Sequence, residues 1–182
     1  KKYTRKSVNT PAYKLLRSSQ KIPIKSQGQR PTCAAFAAVR TLEILSAQQN
    51  QSLELSEQYF YWASKPKCQN TPCKERGSWI TPALDASKES KSYTVPLAKD
   101  CPYDSSPQIG NETQTPLKKS CSNGTLKINS YESYEDLDSV LVALDRGLPI
   151  IFGTKLTPNF YGQNSFISLE MKNQGKTTNK HA

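Results

Sequence analysis

Apolar side chains recur at helical spacing in three stretches of the first half of the chain. CAAFAAVRTLEILSAQQ (33–49) places its large apolar residues on one broad helical stripe, and Thr32 precedes it as a possible cap. LSEQYFYWASK (55–65) predicts a second helix, with Ser56 as its cap and aromatic side chains as its bulk. SWITPALDASKE (78–89) predicts a third, short helix. This half of the chain is therefore expected to be mainly helical.

The pattern changes in the last third of the chain. LKINSY (126–131) alternates apolar and polar residues as a strand does, and LPIIFGTKL (148–156) predicts a short buried strand. Between them, SYEDLDSVLVALDRG (133–147) predicts an amphipathic helix that ends at a glycine. Ser133 and Asp136 are spaced as a capping box at its start.

The remaining segments are expected to be irregular. Residues 66–77 and 90–125 are rich in Pro, Ser, Asn and Cys and predict loops, and residues 1–19 show no period and predict an extended arm. We therefore expect an α+β fold in a single domain of two lobes. A mainly helical lobe would cover about 20–125, and residues 126–182 would begin a sheet-rich lobe.

Composition makes the surface basic without indicating nucleic acid. The chain has 182 residues, a formal net charge of +10 and only 35% hydrophobic residues. Its lysines are spread along the chain, and no arginine-rich block or nucleic-acid-binding motif occurs. A solvated cationic surface is the better interpretation. No apolar stretch approaches the roughly 18 residues that a membrane span needs.

The cysteines divide into a group of four and a single one. The four lie in one polar, proline-rich segment, which is typical of two disulfides and an oxidising compartment; they are Cys68, Cys73, Cys101 and Cys121. Proximity favours Cys68–Cys73 and Cys101–Cys121, although four cysteines allow three pairings. Zinc is the weaker interpretation, because the spacings are loose and the one histidine is distant. We expect a secreted protein with no metal or other cofactor.

The fifth cysteine, Cys33, has surroundings that suit a nucleophile. Alone, such a cysteine is more often a buried apolar residue. It falls in the first turn of the first predicted helix, where unpaired N–H groups and the helix dipole favour a thiolate. Gln27 lies six residues earlier, across a turn with Gly28 and Pro31. Its amide and the Cys33 N–H could both donate to an oxyanion, and His181, the one histidine, would be the base.

Several motifs resemble a known family. PIKSQGQRPTCAAFAAVRTLE is similar to the segment around the nucleophile of papain-family cysteine peptidases, and LELSEQYFYW resembles the LSEQ motif of the family's second helix. GSWITPAL, CPYD and LPIIFGTKL follow in the family's order, and KHA resembles the tripeptide that holds its catalytic histidine. The resemblance covers about residues 20–182 and is to a bacterial-type member of the family.

The resemblance implies both a fold and a set of functional residues. The fold would be papain-like, with a helical left lobe, an antiparallel-sheet right lobe and the active site in the cleft between them. Cys33 would be the nucleophile, Gln27 the oxyanion donor and His181 the general base of a peptidase that acts on protein or peptide. Gly77 and Ser78 match a glycine-rich stretch whose backbone pairs with substrate.

The chain also departs from the family pattern. The cysteine usual three residues before the nucleophile is Arg30, so one family disulfide is absent, and the aromatic residue usual after it is Ala34. The sequence stops one residue after His181, before the asparagine that orients the histidine in this family. We therefore expect a C-terminally incomplete domain, completed by a further segment or a second chain. The alternatives are an inactive papain-fold binding or inhibitory module and a Cys–His transamidase.

Overall fold

The computed structural model describes most of the chain before residue 157 and its last four residues. The described residues are 17–69, 77–88, 94–105, 117, 121, 124, 126–156 and 179–182. The chain divides into two compact units, Lys1–Ile150 and Ile151–Ala182. None of the helices in the described ranges has the length and apolar character that a membrane crossing requires.

Helices dominate the described part of the first unit. They are α1 (Cys33–Gln48), α2 (Glu57–Ala63), α3 (Ile80–Ala86) and α4 (Leu137–Asp145), with 3₁₀ helices at Arg17–Lys21 and Pro66–Cys68. The three helices predicted for the first half of the chain are confirmed, each somewhat shorter than its pattern. The extended conformation predicted for residues 1–19 is wrong over its described end, because Arg17–Lys21 forms a 3₁₀ turn.

The cap predicted for α2 is confirmed. The Ser56 hydroxyl accepts a hydrogen bond from the Tyr59 N–H at 3.0 Å and donates one to the Cys101 carbonyl at 2.6 Å. The side chain thus satisfies one of the unpaired donors of the helix start and also joins α2 to the loop at Cys101.

The capping box predicted for α4 is wrong. Asp136 is itself the N-cap, and its carboxylate accepts hydrogen bonds from the Ser139 N–H at 2.7 Å and the Ser139 hydroxyl at 2.8 Å. The helix therefore begins at Leu137, after the segment that Ser133 was expected to open. The predicted stop is confirmed at Gly147, whose φ of 81° lies in the left-handed region that glycine tolerates.

The core of the first unit lies among α1, α2 and α3, which pack against one another. Its largest fully buried side chains are mostly aromatic or aliphatic: Tyr59, Tyr61, Phe60, Leu55, Val39 and Val95. Full burial of one such side chain stabilises the fold by about 1.5–3 kcal/mol. Because three of the six are consecutive in α2, this short helix is anchored on most of its circumference.

Disulfides tie down the loops around this core. Cys101 and Cys121 are bonded across a sequence separation of 20, which is the pairing that proximity favoured. Cys68 is disulfide-bonded as well, and its predicted partner Cys73 lies outside the described residues. A disulfide that closes a loop of the length between Cys101 and Cys121 typically stabilises the fold by about 3 kcal/mol, because it restricts the unfolded chain.

The strand predicted over 126–131 is wrong as a regular strand. Leu126 and Ile128 form only isolated bridges, antiparallel with Val95 and parallel with Lys88 respectively. A bridge supplies the backbone pairing of a strand at one position, so the alternating pattern reports a local extended conformation within the first unit.

The strand predicted over 148–156 forms only at its end. In the second unit, β1 (Thr154–Leu156) pairs antiparallel with β2 (Asn179–His181), with Thr154 opposite His181. The prediction of burial is wrong for most of the segment, since Phe152 is 69% exposed and only Leu156 is buried in β1. Burial of an apolar run depends on neighbours that its own sequence does not specify. The larger antiparallel sheet of the second lobe stays a prediction.

Candidate active site

Cys33 is a free, half-buried thiol at the first position of α1. The Ala35 and Phe36 N–H groups both donate to the Thr32 carbonyl, at 3.0 and 3.1 Å. Within the described part of the chain, the Cys33 N–H donates to no acceptor. The start of α1 therefore keeps a backbone donor available next to the thiol.

The cap predicted for α1 is wrong. Thr32 occupies the N-cap position, but its side chain accepts no hydrogen bond from the helix. The Tyr103 hydroxyl donates its one proton to the Gln27 carbonyl at 2.8 Å. In the 2.8 Å contact between Thr32 Oγ1 and Tyr103 Oη, the donor must therefore be Thr32. The Thr32 hydroxyl is thus directed toward Tyr103 and not toward the N–H groups of the helix.

A tight turn links Gln27 to α1. Gly28 within it has a φ of 61°, a conformation that L side chains rarely adopt. One carbonyl closes the turn: the Arg30 oxygen accepts a hydrogen bond from Gln27 Nε2 at 2.9 Å and another from the Thr32 N–H at 2.9 Å. The Gln27 amide thus has one N–H held by Arg30 and a second with no acceptor among the described residues.

The Arg30 side chain is buried beneath this turn, at 2% exposure. Its Nη1 donates to Gln58 Oε1 on α2 at 2.9 Å and to the Asp104 carbonyl. The guanidinium lies over the rings of Tyr61 and Tyr103, with centroid distances of 5.4 and 5.0 Å. Such stacking suits a planar cation that is weakly hydrated. In the sequence, Arg30 was only a departure from the family's cysteine, and no pattern indicated this anchoring.

A buried ion network lies close by in sequence and joins α1 to α2. Lys25 Nζ contacts Glu43 Oε1 at 2.9 Å and Glu57 Oε1 at 2.8 Å, and both carboxylate side chains are at least 95% buried. Glu43 also accepts the Leu55 N–H at 2.9 Å. Spacing along the chain did not indicate this network, because Lys25 reaches both partners across other elements.

The pKa values of Lys25 and Glu57 are shifted by burial and by their pairing. Burial alone would disfavour the charged ammonium of Lys25, but its hydrogen bonds to Glu57 and Glu43 prevail and raise its pKa. Burial is also the largest influence on Glu57 and raises the pKa of its carboxyl, with the Lys25 hydrogen bond only partly opposing it. Lys25 is therefore the charge on which both carboxylates depend.

The other predicted site residues lie elsewhere in the two units. Gly77 and Ser78 precede α3 in the first unit, and no heavy atom of the described residues, its chain neighbours apart, lies within 4 Å of the position of a Cβ on Gly77. His181 is the last residue of β2 in the second unit. The structure thus brings Gln27 and Cys33 into one turn-and-helix element. The described residues include no group of three or more His, Cys, Asp or Glu side chains able to hold a metal ion.

A family model described as papain family cysteine protease matches residues 11–181. The chain belongs to the papain family of cysteine proteases. The match includes every residue assigned above to the candidate site. Among the curated proteins, none matches the chain's sequence.

Solved structures of papain-family proteases share the fold. The chain is similar to xylellain, a cysteine protease from Xylella fastidiosa, with a TM-score of 0.68 and 19% identity over 94% of this chain and 63% of that one. It is also similar to the cysteine protease and lectin-like domains of a surface-layer associated protein from Clostridium difficile. There the TM-score is 0.51 and the identity 20%, over 68% of this chain and 27% of that one. The chain spans less than two thirds of the length of either structure.

Proposed function

We propose that this papain-family chain is a secreted cysteine peptidase that hydrolyses peptide bonds through a covalent acyl-enzyme. The observation that carries the proposal is the start of α1, where a free thiol lies beside a backbone N–H that has no acceptor among the described residues. The turn before it holds the Gln27 amide by one of its two N–H groups. A nucleophile and two oxyanion donors are thus supplied by a single short element.

In the first half of the reaction, the Cys33 thiolate attacks the carbonyl carbon of the scissile bond. A C–S bond forms, and the carbonyl electron pair moves onto oxygen, where the Cys33 N–H and the Gln27 amide stabilise the oxyanion. Collapse of this intermediate breaks the C–N bond, and His181 gives its proton to the leaving amine. In the second half, His181 takes a proton from water, which hydrolyses the thioester and returns the thiolate.

His181 is the proposed base because it is the one histidine of the chain and the last residue of the family match. Its backbone belongs to β2 and pairs with Thr154. The substrate is a peptide or protein, whose backbone would pair at Gly77 and Ser78.

Secretion is supported by the disulfides. Cys101 is bonded to Cys121, and Cys68 is disulfide-bonded as well. Structural disulfides persist in oxidising compartments and are rare where glutathione keeps thiols reduced. Among the cysteines that the structure describes, Cys33 is the one that is free.

Peptide turnover tests the proposal. The full chain is assayed against a library of fluorogenic peptide amides, with and without a primary amine acceptor, alongside the variants Cys33→Ala and Thr41→Ala. Thr41 lies on the same helix, and among the described residues its hydroxyl bonds to the Ala37 carbonyl of that helix. We expect hydrolysis that Cys33→Ala lowers at least about 10⁴-fold and that Thr41→Ala leaves unchanged. Acyl transfer to the amine in preference to water would indicate a transamidase, and no turnover by the folded protein would indicate a binding module.

A further inference from the structure

The turn between Gln27 and Cys33 is held from beneath by two side chains that take no part in the proposed chemistry. We propose that Arg30 and Tyr103 are positioning residues that hold the Gln27 amide in place for the oxyanion. We call these two side chains and their contacts the Arg30–Tyr103 clamp. The inference rests on the proposed role of Gln27 and extends it to residues that never touch substrate.

The first part of the clamp acts on the amide itself. The Arg30 carbonyl, 2.9 Å from Gln27 Nε2, is the acceptor that orients the Gln27 side chain in the described residues. A glutamine side chain has three rotatable bonds, so without this bond the amide would sample many directions. The position of the Arg30 backbone therefore decides where the second amide N–H points.

The second part of the clamp fixes the Arg30 backbone. The guanidinium is buried and bonded to Gln58 of α2 and to the Asp104 carbonyl, and it stacks on Tyr61 and Tyr103. Charge-assisted hydrogen bonds of this kind are shorter and stronger than neutral ones. Anchoring of the guanidinium to α2 and to the Asp104 carbonyl restricts the Arg30 backbone and with it the position of its carbonyl.

The third part of the clamp spans the turn. The Tyr103 hydroxyl is bonded to the Gln27 carbonyl at one end of the turn and to Thr32 Oγ1 at the other, each at 2.8 Å. The ring is fixed in turn by an edge-to-face contact with Phe36 on α1, at a centroid distance of 4.9 Å. One hydroxyl thus sets the separation of Gln27 from the residue before the nucleophile.

Rigid support of this kind matters because oxyanion stabilisation depends on donor placement. A donor must lie within hydrogen-bond distance of the oxyanion, and a misplacement of about 1 Å can cost about 10²-fold in rate. Loss of the clamp should therefore lower the rate of the chemical step and leave ground-state substrate binding nearly unchanged.

The test measures kcat and KM on the best fluorogenic peptide amide from the library for Tyr103→Phe and Arg30→Met. Tyr103→Phe removes only the hydroxyl and keeps the ring beneath the guanidinium, so it remains informative if Arg30→Met folds poorly. We expect kcat to fall about 10- to 100-fold in each variant, with KM changed less than about twofold. The control is Arg40→Met, which removes an α1 arginine bonded to the Ser19, Ile22 and Pro23 carbonyls and should leave kcat unchanged.

A double-mutant cycle separates this inference from the proposed function. Each clamp variant is combined with Gln27→Ala, and kcat is measured for the four proteins of each cycle. If the clamp acts through Gln27, Tyr103→Phe will lower kcat in the wild-type background and have no further effect in Gln27→Ala. Equal losses in both backgrounds would overturn the clamp and leave the role of Gln27 standing. If Gln27→Ala itself leaves kcat unchanged, the oxyanion role fails first and the clamp with it.

Discussion

The starts of α1 and α2 show two uses of the same kind of residue. Ser56 precedes α2 and caps it, bonding the Tyr59 N–H at 3.0 Å. Thr32 precedes α1 at the equivalent position, yet its hydroxyl is bonded to Tyr103 and caps nothing. The start of α2 is capped by the residue that precedes it, whereas the start of α1, at Cys33, has no side-chain cap.

This difference teaches that a cap residue in the sequence does not by itself decide what a helix end does. The Ser56 hydroxyl accepts the Tyr59 N–H while its own proton goes to the Cys101 carbonyl. The Thr32 hydroxyl contacts the hydroxyl of Tyr103. Because Tyr103 donates its own proton to the Gln27 carbonyl, Thr32 is the donor in this contact. An uncapped start leaves backbone donors for an anion, which is what a thiolate and an oxyanion require.

The largest expected effect concerns Gln27, beside the uncapped start of α1. Gln27→Ala should lower kcat about 10²- to 10³-fold, because one of two oxyanion donors is lost, and should leave KM nearly unchanged. Steady-state kinetics on a fluorogenic peptide amide measure both constants. A large rise in KM at constant kcat would mean that Gln27 contacts the bound substrate and that the open helix start is not completed by its amide.

The next effect concerns the ion network that joins the two helices. Lys25→Met should lower the free energy of unfolding by about 3–5 kcal/mol, because the buried carboxylates of Glu43 and Glu57 lose the cation between them. Urea unfolding followed by circular dichroism measures this loss. The control Lys21→Met removes an exposed lysine from the neighbouring 3₁₀ helix and should change stability by less than about 0.5 kcal/mol. Equal losses in the two variants would show that the network contributes little.

A smaller effect tests the capped start of α2 directly. Ser56→Ala should lower the free energy of unfolding by about 1–2 kcal/mol, since both the cap and the bond to the Cys101 carbonyl are lost. Asp136→Ala removes the exposed cap of α4 and should cost about 0.5–1 kcal/mol. Neither variant should change kcat. If Ser56→Ala lowered kcat as Gln27→Ala does, the distinction between the two helix starts would fail.

The smallest effect is a pH dependence within the network. Because burial raises the pKa of Glu57, the folded protein holds that proton more tightly than the unfolded chain does. The contribution of Glu57 to stability is then fully present below the ordinary value of 4.5 and is lost as pH rises through the raised pKa. The stability of the wild type relative to Glu57→Gln should therefore fall as pH rises above about 4.5 and through the raised pKa. A rise over this range would show that the ion pair with Lys25 outweighs burial.

Much of the helical unit could be predicted from sequence because its determinants are local. The apolar stripe of α1, the serine before α2 and Gly147 after α4 each act within a few residues of the element they define. The predicted start of α4 was wrong because Asp136, and not Ser133, is the N-cap of the helix.

The rest could not be predicted because it depends on contacts distant in sequence. Tyr103 and Arg30 meet beneath the turn across more than 70 residues, and no periodicity reports such a contact. The same holds for the segment before β1, where an apolar run predicts burial but Phe152 is exposed. For the candidate site, residue types and family motifs indicated Gln27, Cys33 and His181, while the groups that hold Gln27 came only from the fold.

Covalent labelling tests the central claim most directly. The native protein is treated with an epoxysuccinyl peptide, which alkylates an activated thiolate, and the adduct is mapped by peptide mass spectrometry. The account predicts one adduct per chain, on Cys33, with none in Cys33→Ala and normal labelling in Thr41→Ala. A folded protein that leaves Cys33 unlabelled, or that carries the adduct on one of the other four cysteines, would contradict it.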